Sequence, residues 1–212
     1  MVAVAQLVEQ RLVEPWVESS SLSSHPKKVM KSVNIKKKIQ IGLIGSYSDL
    51  KFSRQTETAA YEIGKIVAES GAVLMVGGEK DGGLTKAAAK GASDFGGIVV
   101  GIMPKKEKAC EYLDTVIQTG GLVGFREYIL SISCDVIIAI NGGGGTLNEV
   151  AVAYQNNIPV VMLKKSGGWS QTLAGKYLDQ RKRYKFIGAN GPKQAVKRAM
   201  DLAKERREET DK

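Results

Sequence analysis

The feature that most constrains the fold is a series of short, continuously apolar runs, each followed by a turn and a stretch with helical periodicity. These runs cover residues 39–44, 72–76, 98–103, 116–117, 136–140 and 160–163. Continuous apolar strands are buried on both faces, which is typical of parallel strands joined by crossover helices. The sequence therefore predicts an α/β fold with a doubly wound, Rossmann-like parallel sheet in a single domain.

Helical patterns fill the intervals between these runs, and we expect helices over residues 56–70, 84–95, 125–133, 146–156 and 192–207. Four apolar residues are expected to form the buried face of the third helix: Phe125, Tyr128, Ile129 and Ile132. The last helix has the same kind of stripe: Val196, Ala199, Met200 and Ala203. The segment from Gly167 to Trp169 and the run 184–187 are expected to complete the sheet.

The length and composition are typical of one globular domain: 212 residues, 43% of them hydrophobic and 25% charged. We expect this domain over residues 38–207 and, in the absence of a long apolar run, no membrane span. Residues 1–29 fit nothing downstream, and the strings VAQLVEQ and ESSSLSSHP resemble the in-frame translation of a transfer-RNA gene. The expectation is a spurious or disordered extension, with the real start near Val29, Met30 or Val33. An ordinary N-terminal helix remains the alternative.

The supply of reactive side chains excludes several kinds of chemistry. His25 is the sole histidine, which argues against Ser-His-Asp or Cys-His catalysis and against histidine-ligated metals. Cys110 and Cys134 lack metal-binding spacing, which predicts no metal site and a reducing, cytoplasmic location. Any chemistry must come from carboxylates, arginine, lysine, hydroxyls and backbone amides.

The net charge of +9 comes mainly from the C-terminal part of the chain, where residues 180–212 hold eleven basic and five acidic residues. In the last predicted helix, most of these basic residues lie off the apolar stripe. We interpret the charge as a solvated outer face rather than a nucleic-acid footprint.

Nineteen of the 24 glycines lie between Gly42 and Gly145, and they cluster where strands are predicted to end. Strand ends of a doubly wound sheet line the ligand crevice, and glycine lets backbone amides approach a phosphate at a helix N-terminus. Three clusters are therefore predicted to bind the phosphate of a nucleotide. They comprise Gly45 and Ser46; Gly77, Gly78, Gly82 and Gly83; and Gly142, Gly143, Gly144 and Gly145 with Thr146.

The standard phosphate motifs do not match. The segment 42–45 is not GxGxxG, and the second run ends in glycine rather than an acid for a ribose hydroxyl. Gly78 to Gly83 has the Walker A spacing, but Leu84 occupies the lysine position. A standard NAD domain and a P-loop NTPase are both disfavoured. Tight turns and close helix packing remain an alternative role for these glycines.

The stretch NGGGGTLNE, residues 141–149, resembles the PGGxGTxxE motif of the LOG phosphoribohydrolases in the wider SLOG superfamily. Arg126 matches the upstream arginine of that family, whereas Asn141 replaces the proline and Glu127 stands where the family has lysine. The resemblance runs from about residue 38 to residue 192. The segment GGWS, residues 167–170, is similar to a branch that includes molybdenum-cofactor carrier proteins.

The resemblance implies two alternative functions. In the first, the protein splits a nucleoside 5′-monophosphate, with Glu149 stabilising the oxocarbenium-like transition state and Arg126 holding the phosphate or leaving base. In the second, it is a non-enzymatic carrier or sensor of a nucleotide or a pterin such as molybdenum cofactor. Glu127 favours the second, and retention of Arg126 and Glu149 favours the first. Neither function requires a cofactor, and the resemblance suggests a homodimer.

The same residues are also compatible with roles that need no nucleotide. Thr146 and Glu149 have the spacing of a helix capping box, which forms without a substrate. Arg126 could instead form an ion pair with Glu127 or Asp135. A DNA-processing relative of DprA would use the basic C-terminus, and steeply salt-dependent binding of single-stranded DNA would reveal it.

Overall fold

The structure, a computed structural model, describes residues 37–105, 108–121 and 123–210. The expectation about residues 1–29 lies outside these residues. Within them, seven strands form one sheet. The strands are β1 (Gln40–Gly45), β2 (Val73–Gly77), β3 (Ile98–Met103), β4 (Thr115–Gln118), β5 (Val136–Ile140), β6 (Val160–Leu163) and β7 (Ile187–Ala189).

All neighbouring strands pair in parallel, in the order β4-β3-β2-β1-β5-β6-β7. The chain moves outward from β1 to β4 and then returns to place β5 on the other side of β1. This reversal between β1 and β5 is the topological switch point, where doubly wound sheets open a crevice at the carboxyl ends of the strands. The predicted doubly wound α/β fold is confirmed.

Helices cover both faces of the sheet. They are α1 (Arg54–Glu69), α2 (Leu84–Asp94), α3 (Val123–Ile132), α4 (Gly144–Gln155), α5 (Gly168–Leu173) and α6 (Pro192–Thr210). One buried cluster unites the sheet with α1, α2 and α6, and a second unites its other face with α3, α4 and α5. The stripe predicted for the last helix is confirmed, since Val196, Ala199 and Ala203 are buried and Met200 packs against them.

The predicted inward face of α3 is wrong for three of its four residues, whereas Ile129 is partly buried and packs against the core as expected. Phe125, Tyr128 and Ile132 are 52%, 43% and 40% exposed. Arg126, Glu127 and Leu130 are buried in their place. The prediction placed the more apolar side of the helix inward because apolar periodicity was its sole guide. In the structure, the side that carries Arg126, Glu127 and Leu130 faces the sheet and α4. The helix therefore turns charged groups toward the interior and apolar groups toward solvent.

Two further details correct the sequence predictions. The Gly167–Trp169 segment does not join the sheet, because residues 168–173 form α5. The last strand is Ile187–Ala189 rather than 184–187, and Tyr184 and Phe186 instead pack around Tyr154. Other element boundaries shift by one to three residues; α1, for example, begins at Arg54 because the Ser53 hydroxyl caps it by accepting from Thr56 N at 3.1 Å.

Candidate functional site

A cleft of about 440 Å³ lies at the switch point, at the carboxyl ends of β1, β2 and β5. Eight of the residues predicted for the site line it: Gly45, Gly77, Arg126, Gly143, Gly144, Gly145, Thr146 and Glu149. Chain segments far apart in sequence therefore meet at one place, as the clustering of glycines at strand ends predicts.

Arg126 is the central side chain of this cleft, and it is 5% exposed. Its Nη1 donates to Tyr47 Oη at 3.0 Å and lies 3.6 Å from Glu79 Oε1, while its Nη2 lies 3.7 Å from Glu127 Oε1. Within the described part of the chain its Nε finds no hydrogen-bond partner. A buried guanidinium N–H without an acceptor costs folding free energy, and a further hydrogen-bond acceptor would remove this cost.

Gly77 makes room for this guanidinium at the end of β2. A Cβ at that position would collide with Arg126 Nη1 and would lie 2.7 Å from Tyr47 Oη. The absence of a side chain at Gly77 therefore leaves the space that the Arg126 guanidinium occupies. The alternative in which Arg126 pairs with Asp135 is wrong, since Asp135 accepts instead from Arg207 Nη2 at 2.6 Å and from Gln40 N at 2.8 Å.

The turn before α4 presents open backbone amides to the cleft. The helix begins at Gly144, its N-cap is Gly143, and no side chain caps it. The first amides of a helix have no partner within the helix, so they favour an anion. Gly142 has φ of +102°, a left-handed conformation that suits glycine, and its amide donates to Ser46 Oγ at 3.0 Å.

The capping-box explanation of Glu149 is wrong. Because α4 begins two residues before Thr146, the threonine lies inside the first turn and cannot be the N-cap. Glu149 lies in the next turn, is 6% exposed and lines the cleft. Burial raises the pKa of Glu149 to about 8; Arg126 opposes this rise, and the carboxylates of Glu127 and Glu79 add to it. Burial therefore favours the protonated form of this carboxyl group.

Glu127 places a carboxylate beside the open amides. Its Oε2 accepts from Asn148 Nδ2, and a Cβ on Gly145 would lie 2.8 Å from its Oε1. The residue that departs from the LOG pattern thus supplies an anion from within the protein at the N-terminal turn of α4.

Five predicted residues support the loops rather than line the cleft: Ser46, Gly78, Gly82, Gly83 and Gly142. Ser46 is 1% exposed, and its hydroxyl donates to Asn141 Oδ1 at 3.2 Å within the loop. Gly78 packs against Gly101 and Leu113, and Gly83 packs against the backbone of residues 46–48.

Sequence reasoning missed five residues of the cleft: Tyr47, Asp49, Leu50, Glu79 and Thr85. Tyr47 donates to Glu79, and burial raises the pKa of its phenol, with the Glu79 carboxylate adding to the rise. Burial lowers the pKa of the Arg126 guanidinium. Tyr47, Glu79 and Glu149 together have the larger, opposite effect, so the pKa is raised overall. Their position in the sequence could have indicated that Tyr47 and Glu79 reach the cleft, because each follows the end of a predicted strand by two or three residues.

Among the described residues, no group of three or more histidine, cysteine, aspartate or glutamate side chains is arranged to hold a metal ion. In the same part of the chain, no helix is long and apolar enough to cross a membrane.

The sheet order, the switch-point cleft and the glycine turn before α4 define a Rossmann-like α/β protein. The chain belongs to the SLOG cluster4 family, whose profile matches residues 38–196.

Known relatives agree with this assignment. An uncharacterized protein from Archaeoglobus fulgidus is 39% identical over 129 residues, which are 60% of this chain and 82% of that protein. The molybdenum cofactor binding protein of Rippkaea orientalis is 29% identical with a TM-score of 0.68, over 79% of this chain and 98% of that chain. The molybdenum cofactor carrier protein of Chlamydomonas reinhardtii is 28% identical with a TM-score of 0.69, over 78% and 98%.

DNA processing protein A of Streptococcus pneumoniae is also similar, at 14% identity and a TM-score of 0.54 over 76% of this chain and 61% of that one. At that identity the likeness shows a shared fold alone.

Proposed function

We propose that the protein binds a phosphorylated aromatic heterocycle, either a nucleotide or a pterin such as molybdenum cofactor, and acts as its carrier or sensor. The observation that carries this proposal is the meeting of a buried, incompletely hydrogen-bonded Arg126 with the uncapped amides of α4 in one cleft. A planar guanidinium and helix N-terminal amides are both suited to phosphate oxygens. The volume of about 440 Å³ falls in the range of small-molecule sites.

The carboxylates around Arg126 suit the other part of such a ligand. Glu79 and Asp49 line the same cleft, and carboxylate oxygens accept from ring N–H and amino groups. A nucleobase or pterin offers those donors along one edge. The molybdenum-cofactor proteins of Rippkaea and Chlamydomonas support this ligand class, since their chains match this one over nearly their whole lengths.

The phosphoribohydrolase is the second candidate, and Glu149 is the observation that favours it. A carboxylate near the ribose would stabilise positive charge in the transition state. However, burial raises the pKa of Glu149 and so favours its neutral form, and Glu127 brings negative charge to the phosphate end. Both features favour binding without cleavage.

We further propose that the protein works as a cytoplasmic homodimer. The exposed apolar stripe of α3, formed by Phe125, Tyr128 and Ile132, supports a contact between two copies. Within the described residues both cysteines are free and buried, which is compatible with a reducing compartment.

One pair of measurements distinguishes these functions. Isothermal titration with AMP and, anaerobically, with molybdopterin should show saturable binding of at least one ligand to the wild-type protein. A coupled assay for ribose 5-phosphate should show no turnover of AMP, GMP, CMP or UMP. Release of ribose 5-phosphate would establish the hydrolase, and failure of both ligands to bind at millimolar concentration would overturn the site assignment.

A further inference from the structure

A second depression, of about 520 Å³, lies beside the cleft between the N-terminal parts of α1 and α2. Its apolar part includes Phe52, Tyr61, Ala87 and Tyr112, and four basic side chains surround it: Arg54, Lys80, Lys86 and Lys90. Two acidic residues, Glu57 and Asp81, also line it. We call this depression the basic groove.

The two lysines on α2 are held in place by neighbours. Lys86 Nζ lies 3.1 Å from Glu111 Oε1, and Lys90 Nζ forms an ion pair with Asp94 one turn further along the helix. Lys90 Nζ also lies 5.5 Å from the centre of the Tyr61 ring and 5.7 Å from that of Tyr112. The ion pairs and the cation–π contacts together hold both lysines along one wall of the basic groove.

The other two cations are different, because neither Arg54 nor Lys80 forms an ion pair with any described residue. Arg54 is exposed, and Lys80 is exposed at the loop tip. They are therefore the groups of the basic groove that are available to an anion from outside the protein.

The basic groove is joined to the cleft by a third depression of about 370 Å³. It shares Tyr47, Asp49 and Glu79 with the cleft, and it shares Ser48, Lys80 and Asp81 with the basic groove. The loops beneath it are tied together, since Ser48 Oγ donates to Asp81 O at 2.9 Å and Leu84 N donates to Ser46 O at 3.0 Å. Lys80 thus borders both the connecting depression and the basic groove.

We infer that the ligand of the cleft is a dinucleotide-like molecule, in which the phosphorylated heterocycle is joined through phosphate to a second nucleotide unit lying in the basic groove. This inference rests on the proposed function and specifies its ligand class. One mononucleotide-sized unit accounts for the cleft, while the continuous path, the apolar floor and the two unpaired cations suit a second base with its phosphate. Lys80 is placed to meet the phosphate of that second unit, and Arg54 lies on the wall beyond it.

The test compares AMP with diadenosine 5′,5′-diphosphate, which has the same base and about the same charge but a second nucleoside. Isothermal titration should show that the wild-type protein binds the dinucleotide about tenfold more tightly than AMP. The double variant Arg54→Gln/Lys80→Gln should lose that preference and keep its AMP affinity. Lys193→Gln, which removes an exposed lysine outside the basic groove, should behave like the wild type.

The outcomes separate this inference from the function on which it depends. Equal affinity for the two probes, or a preference that survives in the double variant, would overturn the inference and leave binding at the cleft intact. Failure of both probes to bind would overturn both. Tight, salt-dependent binding of an oligo-dT 20-mer that is lost in the double variant would show instead that the basic groove is a nucleic-acid surface.

Discussion

Glu149 is a carboxyl group buried next to other acidic groups, so the free energy of unfolding should depend on its ionisation. Its folded-state pKa of about 8 lies above the unfolded value near 4.3. Between these values the folded protein binds more protons than the unfolded chain, so stability falls as the pH rises, by at most about 1.4 kcal/mol per pH unit. Above pH 8 this contribution is fully lost.

We expect Glu149→Gln to remove this dependence. The variant should fold, and between pH 5 and pH 8 its urea midpoint should fall less with pH than that of the wild type. Glu69→Gln, which alters an exposed glutamate at the end of α1, serves as the control and should follow the wild-type curve. Parallel curves for wild type and Glu149→Gln would show that the carboxyl group does not titrate in this range.

Removal of the Arg126 guanidinium should weaken binding of AMP by about 1.5–3 kcal/mol, the range for hydrogen bonds to charged groups. Arg126→Ala also leaves Glu79 and Glu127 without their cation, so its unfolding should be measured alongside. Arg126→Lys keeps the positive charge but loses the two-pronged geometry, and it should have an intermediate affinity. Unchanged affinity in both variants would contradict a role in ligand binding.

The Glu127 carboxylate beside the first turn of α4 should oppose binding of a phosphate. Glu127→Gln keeps the side-chain shape and a hydrogen-bond acceptor for Asn148 while removing the charge. We expect it to bind AMP several-fold more tightly, with the gain shrinking as salt is raised. Weaker binding in this variant would instead show that the carboxylate contacts the ligand.

At the scale of elements, α3 carries an apolar stripe on its solvent side and charged groups on its inner side. This inversion explains how a helix can bring Arg126 and Glu127 to the cleft, and it leaves Phe125, Tyr128 and Ile132 uncovered by the described chain. An exposed stripe of this kind is typical of an association surface.

The proposed dimer can be tested on that stripe. Tyr128→Glu should shift the protein from dimer to monomer in sedimentation velocity, because a charge at the centre of an apolar contact loses its water. Tyr177→Glu is the matched control, since Tyr177 is 44% exposed and Tyr128 is 43% exposed. A wild-type monomer, or a Tyr128→Glu dimer, would place the contact elsewhere or exclude it.

At the scale of the whole molecule, the sheet and its switch-point cleft were predictable because their signals are local. Apolar runs such as 136–140 and glycine turns such as 142–145 reflect burial and backbone geometry within a few residues. The orientation of α3 was not predictable, since both of its stripes could be buried and the choice depends on what α4 and the sheet present. The start of α4 was missed because Gly143 caps it without a side-chain signal.

The residues that contact Arg126 could be identified only from the three-dimensional structure. Tyr47 and Glu79 come from different loops, and their position just after a strand predicts that they reach the crevice but not that they meet the arginine. The glycine at position 77 shows its purpose only beside the guanidinium that a Cβ would displace.

The central claim is that a phosphorylated heterocycle binds at the α4 end of the switch-point cleft. The most direct measurement is a titration of ¹⁵N-labelled protein with AMP, followed by amide NMR. We predict saturable shifts of the Gly144, Gly145 and Thr146 amides and of the Arg126 side chain, with little change in α6. Saturation without shifts at these amides, or no shifts at millimolar AMP, would contradict the claim.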